Sequence, residues 1–299
     1  MEFRQCKTDL VREGLMPEDS QVVSTNNKLV AISPEQGVVY RVSKAAGSNL
    51  RDDPHDLGYS HRVSWYAAQE APVVSPLDRE PLTAKGYVIS RYPLMIGDVH
   101  LSENNADEIF TMTQRINSSL STVSDNMTLR SLNIPEYVGS RIEDLEGKKI
   151  SHPGDLDYIR RELTALQHSF PFSELTKDDT GLIHGDFKIE NIVSDAKGNL
   201  RAIDLDAAAV GPRLYDLSSW RLRQELGDKT PVESVIEIAR KKEKWNDDYY
   251  KALIGWKAVS SMSFTLRYED EQTSHRKINE IARAAIKLGG LLHHTEPEV

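Results

Sequence analysis

The chain has little cysteine: Cys6 is the only one in 299 residues. One thiol cannot close an intramolecular disulfide framework or by itself make a thiolate metal site, so neither is the basis of the fold. Cys6 reads as incidental. No eighteen apolar residues run together, and the segment Met1 to Asp9 lacks the apolar stretch of a secretory signal. We therefore expect no membrane association and a cytoplasmic location. Basic residues are in deficit, with 37 Lys and Arg against 46 Asp and Glu, a formal charge of −9. That balance argues against a general nucleic-acid binder, which needs a basic face for phosphates, and lends slight support to a cationic small partner. Repeats, low-complexity tracts and long linkers are missing too.

What is present is an ordinary apolar content of 39%, enough for one two-lobed protein or two close-packed domains. The most informative stretch runs His184-Gly185-Asp186-Phe187-Lys188-Ile189-Glu190-Asn191, then Ile192-Val193-Ser194, a polar turn, and Ile203-Asp204-Leu205-Asp206. Phosphoryl transfer needs three oxygen-bearing side chains near the terminal phosphate, one to orient the acceptor hydroxyl and two to hold magnesium. Asp186, Asn191 and Asp204 supply that set. The segment 195–199, Asp-Ala-Lys-Gly-Asn, has the turn chemistry to join a strand over 191–194 to another over 200–205, with Gly198 suited to positive φ. A hairpin of that length returns Asp204 to the side of Asn191. Thr180 to Ile183 reads as a short buried strand feeding the loop.

These residues carry a family resemblance. His-Gly-Asp-x-x-x-x-Asn followed by Ile-Asp-x-Asp is similar to the aminoglycoside phosphotransferase and choline kinase superfamily, and Gly211-Pro212-Arg213-Leu214-Tyr215-Asp216-Leu217-Ser218-Ser219-Trp220 resembles the segment that follows. The resemblance implies an α+β, two-lobed protein-kinase-like fold with a small antiparallel N-terminal sheet lobe, 1–92, and a larger, mainly helical lobe, 93–299. It implies Asp186 as the base, Lys188 as a neutraliser of γ-phosphate charge or else a solvent-facing loop lysine, and Asn191 with Asp204 as Mg²⁺ ligands. Asp206 would support the metal ligands or cap the turn. His184 would be a structural hydrogen-bonder, and Asp216 would tie the loop backbone together. The phosphate donor would be ATP or GTP and the acceptor a small hydroxyl compound.

The N-terminal third shows short β-like runs at 21–24, 28–32, 38–42 and 87–90, with a helix over 61–68 ended by Pro72. Within Val38 to Val42, Arg41 occupies the place of the strand cation that reaches the nucleotide phosphates. A surface position on an edge strand is its alternative, and Lys44 its nearest rival. The turn Ser24 to Lys28 lies where a glycine-rich phosphate loop is expected but holds no glycine; backbone N–H groups there, at Asn27 among others, could still face phosphate. Ser90 to Pro93 reads as the hinge, so the backbone at Ser90 and Tyr92 would meet the adenine edge. The carboxylate that should pair with the strand cation is not evident, since Asp56 and Glu70 only flank the helix.

Helical patterns take over from Glu103, with apolar stripes through 106–120, 155–170, 249–266 and 278–292. The last two helices would wall the acceptor pocket, Gly289-Gly290 would end the final one, and the tail 293–299 would fray. Glu269, Asp270 and Glu271 either grip substrate amines or solvate a helix end. Protein-kinase features are absent: Gly185 stands where an arginine is usual, there is no Asp-Phe-Gly or Ala-Pro-Glu, and only ten residues separate Asp206 from Asp216. A small molecule, foremost an aminoglycoside-like antibiotic, is the expected acceptor. A sugar, choline, homoserine or hydroxy acid is the alternative, and a non-catalytic nucleotide-binding protein the reading from another class.

Overall fold

A computed structural model describes residues 2–24, 29–44, 57–95, 99, 102–132, 134–145, 153–169, 176, 179–228, 231–242, 245–268 and 271–290. The expectations for Asn27 and its turn, Asp56, Phe170, Glu269, Asp270 and the tail fall outside them. The chain divides into two compact units interleaved in sequence: residues 1–100, 114–129 and 184–208 form the first, and 101–113, 130–183 and 209–299 the second. The 184–208 segment therefore groups with the N-terminal sheet, whereas the sequence reading assigned it to the C-terminal lobe.

The first unit begins with α1 (Glu2–Arg12), which the sequence reading did not anticipate, followed by β1 (Gln21–Ser24), β2 (Leu29–Ser33) and β3 (Val38–Lys44). After α2 (Leu57–Ala67) come β4 (Leu82–Ala84) and β5 (Tyr87–Pro93). The five strands make an antiparallel sheet in the order β1-β2-β3-β5-β4. Strand alternation sorts its side chains to two faces. Leu29, Ala31, Tyr40, Val42 and Ile89 point one way, onto Cys6, Leu10 and Met16 of α1 and its following turn. Cys6 is thus a core residue, and burial pushes its thiol pKa up. The register sets Arg41 opposite both Val30 and Ser90, so these residues share the other face.

The first unit also holds the hairpin β7 (Ile192–Ser194) and β8 (Leu200–Ala202). Its turn forms as the sequence demands: Gly198 takes φ +82°, and Asp195 Oδ1 accepts from the Lys197 and Asn199 amides at 2.9 and 3.0 Å. Val73 adds a parallel bridge to Ala202, with Ala202 N donating to Pro72 O and Val74 N to Ala202 O at 2.8 and 2.9 Å. These bonds fasten the hairpin to the chain leaving α2.

In the second unit α3 (Ala106–Ser118) opens a run of helices, crossing into residues of the first unit at its C-terminal end. The short α4 (Leu120–Ser124), which belongs to the first unit, follows; the second unit continues with α5 (Ile134–Leu145), α6 (Pro153–Ser169) and β6 (Thr180–Ile183). β9 (Ala209–Pro212) pairs antiparallel with β6. The helices α7 (Tyr215–Glu225), α8 (Val232–Lys242), α9 (Asp247–Tyr268) and α10 (Glu271–Lys287) complete the unit. Apolar residues surround much of α9, as a central helix requires. It packs against α5, α6, α7 and α10 and buries Leu253, Trp256, Val259 and Met262. A Cβ on Gly255 would lie 1.9 Å from Gly290 O, so glycine is needed where α9 meets the end of α10. Gly289, at φ +70°, closes α10, and Gly290 N donates to Ala285 O at 2.8 Å. Among the described residues no helix is long and apolar enough to cross a membrane.

Candidate active site

The described candidates for base, phosphate, nucleotide and metal contacts lie in the first unit, on two supports: the Arg41 face of the sheet, and the segment 184–207; Asp216 lies in the second unit. The second support is closed by a small set of bonds. His184 is fully buried, and its Nε2 lies 2.8 Å from Ile203 O, which makes that nitrogen the donor. Ile203 N donates to Asn191 O at 2.9 Å, joining the loop to the chain entering Asp204. Gly185 takes φ +80°, and a Cβ there would sit 2.2 Å from Ala207 O. The backbone approach that locks the loop thus excludes every side chain, the arginine of protein kinases included.

Within the loop, Asn191 is buried, and its Nδ2 donates to Asp186 O at 2.8 Å and to Asp186 Oδ2 at 3.4 Å. With the amide nitrogen committed, the amide oxygen is the atom left for a cation. Lys188 Nζ stands 2.5 Å from Asp186 Oδ2, and both side chains are partly exposed. An ammonium beside a carboxylate is suited to binding a γ-phosphate next to a base.

Asp204 adopts φ +63°, ψ +57°, a left-handed conformation costing about 1 kcal/mol for a non-glycine residue, though tolerated best by Asn and Asp. The short helical turn Leu205–Ala207 follows at once and places Asp206 beside Asp204. Arg41 bridges both: Nη2 donates to Asp204 Oδ1 at 2.7 Å and to Asp206 Oδ2 at 3.0 Å. Arg41 is therefore no free surface arginine. The Lys44 side chain is outside the described set.

Of the two flanking carboxylates considered from sequence, Glu70 accepts from the Thr122 hydroxyl instead, and Asp56 lies outside the described residues. Moreover α2 starts at Leu57, four residues before the expected His61, and carries no acidic residue at all. What α2 offers is neutral. Tyr59 donates its hydroxyl to Ala208 O at 2.8 Å, and His61 Nδ1 lies 2.9 Å from the Ser90 hydroxyl, with His61 Nε2 3.0 Å from Asp78 O. Burial lowers the His61 pKa, although the Asp78 and Arg79 backbone opposes the shift, so the ring is held neutral. Tyr59 and His61 were missed from sequence; a tyrosine and a histidine on a helix with mixed polarity give no periodic signal.

Ser90 and Tyr92 lie within β5, which continues to Pro93, rather than in a separate hinge. The Ser90 side chain is buried against His61, so its contribution to a nucleotide would come from the backbone. Tyr92 is buried with its ring edge-on to His61, and burial raises its phenol pKa. Asp216 is buried in the first turn of α7.

Asn191 and Asp204 offer an amide oxygen and a carboxylate, the hard donors that Mg²⁺ prefers, with Asp206 adjacent. This donor set fits a divalent cation.

A sequence model of the phosphotransferase enzyme family matches residues 57–253. The chain belongs to this family. That span runs from the start of α2 into α9 and contains the whole 184–207 segment. A search of curated proteins finds no sequence match. Solved structures similar in fold include an amicoumacin kinase in complex with AMP-PNP and Ca²⁺, with TM-score 0.65, 14% identity, and coverage of 95% of this chain and 92% of that one. The choline kinase LicA from Streptococcus pneumoniae aligns with TM-score 0.63 and 15% identity over 96% and 100% of the two chains. A spectinomycin phosphotransferase in complex with ADP and spectinomycin gives 0.64 and 13% over 96% and 98%. These likenesses show that the phosphotransferase has the protein-kinase-like α+β fold expected from its motifs.

Proposed function

We propose that this phosphotransferase moves the γ-phosphate of ATP, or GTP, to a hydroxyl of a small molecule in a Mg²⁺-dependent reaction. The observation that carries the reading is the convergence of Arg41 with Asp204 and Asp206 in the same compact unit as the Asp186–Asn191 loop. A strand cation for phosphate, oxygen ligands for a metal and a carboxylate for the acceptor are the parts phosphoryl transfer uses. The nucleotide complexes of the amicoumacin and spectinomycin enzymes support a nucleoside triphosphate as donor.

In this reading Arg41 grips α- and β-phosphate oxygens with its guanidinium fork, while backbone groups at Ser90 and Tyr92 receive the adenine. Asn191 and Asp204 hold Mg²⁺, which when bound would neutralise charge on the phosphate oxygens. Asp186 hydrogen-bonds the acceptor hydroxyl and aligns it with the γ-phosphorus. As the new O–P bond forms and the bond to the β-phosphate oxygen breaks, the hydroxyl proton passes to Asp186 and the nucleoside diphosphate leaves. Lys188 meets the charge carried by the transferred group.

The acceptor we favour is an aminoglycoside-like antibiotic, supported by the antibiotic kinases among the structural relatives and slightly by the charge of −9. The likeness to choline kinase favours a second reading, a metabolic alcohol such as choline. Nucleotide consumption with Mg-ATP and Mg-GTP across aminoglycosides, other hydroxylated antibiotics, sugars, choline and hydroxy acids tests both, with Asp186→Asn as control. Acceptor-stimulated turnover that vanishes in Asp186→Asn is the expected result. Turnover unchanged in that variant would remove Asp186 as the base, and nucleotide binding without stimulation by any acceptor would favour a binding protein.

A further inference from the structure

We propose that Asp206 is the positioning residue for Arg41: it supplies the carboxylate that keeps the guanidinium aimed at the nucleotide phosphates while Asp204 serves the metal. The inference rests on the phosphotransfer reading and assigns Asp206 a part different from metal support or turn capping.

Among the described residues, Arg41 forms ion pairs with Asp204 and Asp206. The two carboxylates are not equivalent. The Asp206 side chain and that of Arg41 are each 15% exposed, whereas Asp204 is 38% exposed. Asp204 is thus the more open carboxylate; its backbone is left-handed, and the residue before it is bonded to Asn191 through Ile203 N and Asn191 O. A divalent cation attracts a carboxylate more strongly than a guanidinium does, because Coulomb energy scales with charge. With Mg²⁺ bound, Asp204 would be engaged as its ligand and Arg41 would lose half of its pairing. Asp206 remains, close and sheltered from screening.

Among the described residues, no other carboxylate pairs with Arg41. The helix packed beside this turn, α2, reads Leu57-Gly58-Tyr59-Ser60-His61-Arg62-Val63-Ser64-Trp65-Tyr66-Ala67, without a carboxylate. It braces the arrangement with neutral bonds, from Tyr59 to Ala208 and from His61 to the cross-strand neighbour of Arg41. The phosphate cation and the metal ligand are therefore aligned by one three-residue turn, in which Asp204 and Asp206 stand two positions apart. Rotating one carboxylate without disturbing the other is possible because the turn backbone is fixed by Ala208 N donating to Leu205 O at 3.1 Å and by the Tyr59 bond.

The test is calorimetric ATP binding, with and without Mg²⁺, for the unaltered protein, Asp206→Asn, Asp206→Glu, Arg41→Met and the Asp206→Asn, Arg41→Met double variant. Near-ultraviolet circular dichroism checks that each is folded. Loss of a charge-assisted bond should weaken Mg-ATP binding about 10- to 100-fold in Asp206→Asn. The double variant should then be no weaker than Arg41→Met, the Mg²⁺ concentration for half-maximal effect should stay within about twofold, and Asp206→Glu should recover part of the affinity. Additive losses in the double variant, or a Mg²⁺ requirement shifted in Asp206→Asn while Arg41→Met leaves it unchanged, would overturn the anchor and leave the phosphotransfer reading standing. Failure of the unaltered protein to bind ATP at all would overturn both.

Discussion

The two faces of the N-terminal sheet do different work. One is a continuous apolar surface, Leu29, Ala31, Tyr40, Val42 and Ile89, closed by α1. The other, one residue out of step on the same strands, carries Arg41, Ser90 and Tyr92 and meets α2 through hydroxyl, imidazole and phenol groups. A one-residue slip of β3 would exchange Arg41 for Tyr40 and bury the cation among hydrocarbon, so the apolar face fixes the register that the reactive face needs. Cohesion is concentrated where there is no chemistry, and the reactive face can hold a strained, charged arrangement.

Substitutions on the two faces should separate turnover from stability. Asp204→Asn, which suits the left-handed backbone but removes a metal-binding charge, should lower turnover by about 10³-fold with little change in melting temperature. Initial rates with a cognate acceptor and a thermal melt check it; normal turnover would remove Asp204 from the metal site. Leu10→Ala, on the opposite side, should cost about 3 kcal/mol of stability by opening a cavity beneath a fully buried residue. Its KM for ATP, measured well below the melting temperature, should stay within about twofold; a larger change would couple the faces.

A subtler probe is pH. Burial depresses the His61 pKa below its ordinary value of 6.5, so below that value the unfolded chain binds more protons than the folded one. The buried ring costs no stability above pH 6.5 and an increasing amount as pH falls below it toward the folded pKa. Denaturant melts between pH 7.5 and 5.0 should show that decline, and His61→Gln should flatten it; an unchanged slope would mean that other groups set it. The smallest effect is expected at the hairpin turn. Asp195, lowered to about 2 chiefly by its bonds from Asn199, favours the folded state above its ordinary value of 3.8, and that contribution is lost as pH falls through about 2. Asp195→Ala should slightly lower stability above pH 3.8 and flatten the loss below it, as denaturant melts would show, and should leave KM for ATP unchanged.

Much of this was legible in the chain because the signals were local. The strand alternation of 38–42, the turn at 195–199 and the ordered Asp186, Asn191 and Asp204 each declare themselves within a few residues. The long stripes gave α6 and α9 nearly to their ends. What escaped depended on distance. Arg41 could be placed on its strand, but its described carboxylate partners lie 163 and 165 residues away, beyond the reach of any local pattern. The helix α1 was missed because its burial rests on few apolar positions, Cys6 and Leu10 among them, amid charged neighbours. The helix α8 was missed as well, although its Val232, Val235, Ile236 and Ala239 repeat at steps of three and four. Gly185 was noted only as a missing arginine, while the contact that forbids a side chain there is made by Ala207, far along the chain.

The bonds between Ala202 and residues 72 and 74 bear on how the molecule is made. During synthesis the N-terminal hundred residues emerge long before position 202 exists, so the sheet waits with its Arg41 side lacking the hairpin that completes the unit. Pairing then closes a loop of well over a hundred residues, an entropically slow event that exposes the nascent chain to chaperones and to aggregation. The segment 184–208 is thus the last part of its own unit to be laid down, and a ribosome-bound chain cannot complete that unit until residue 208 has cleared the exit tunnel.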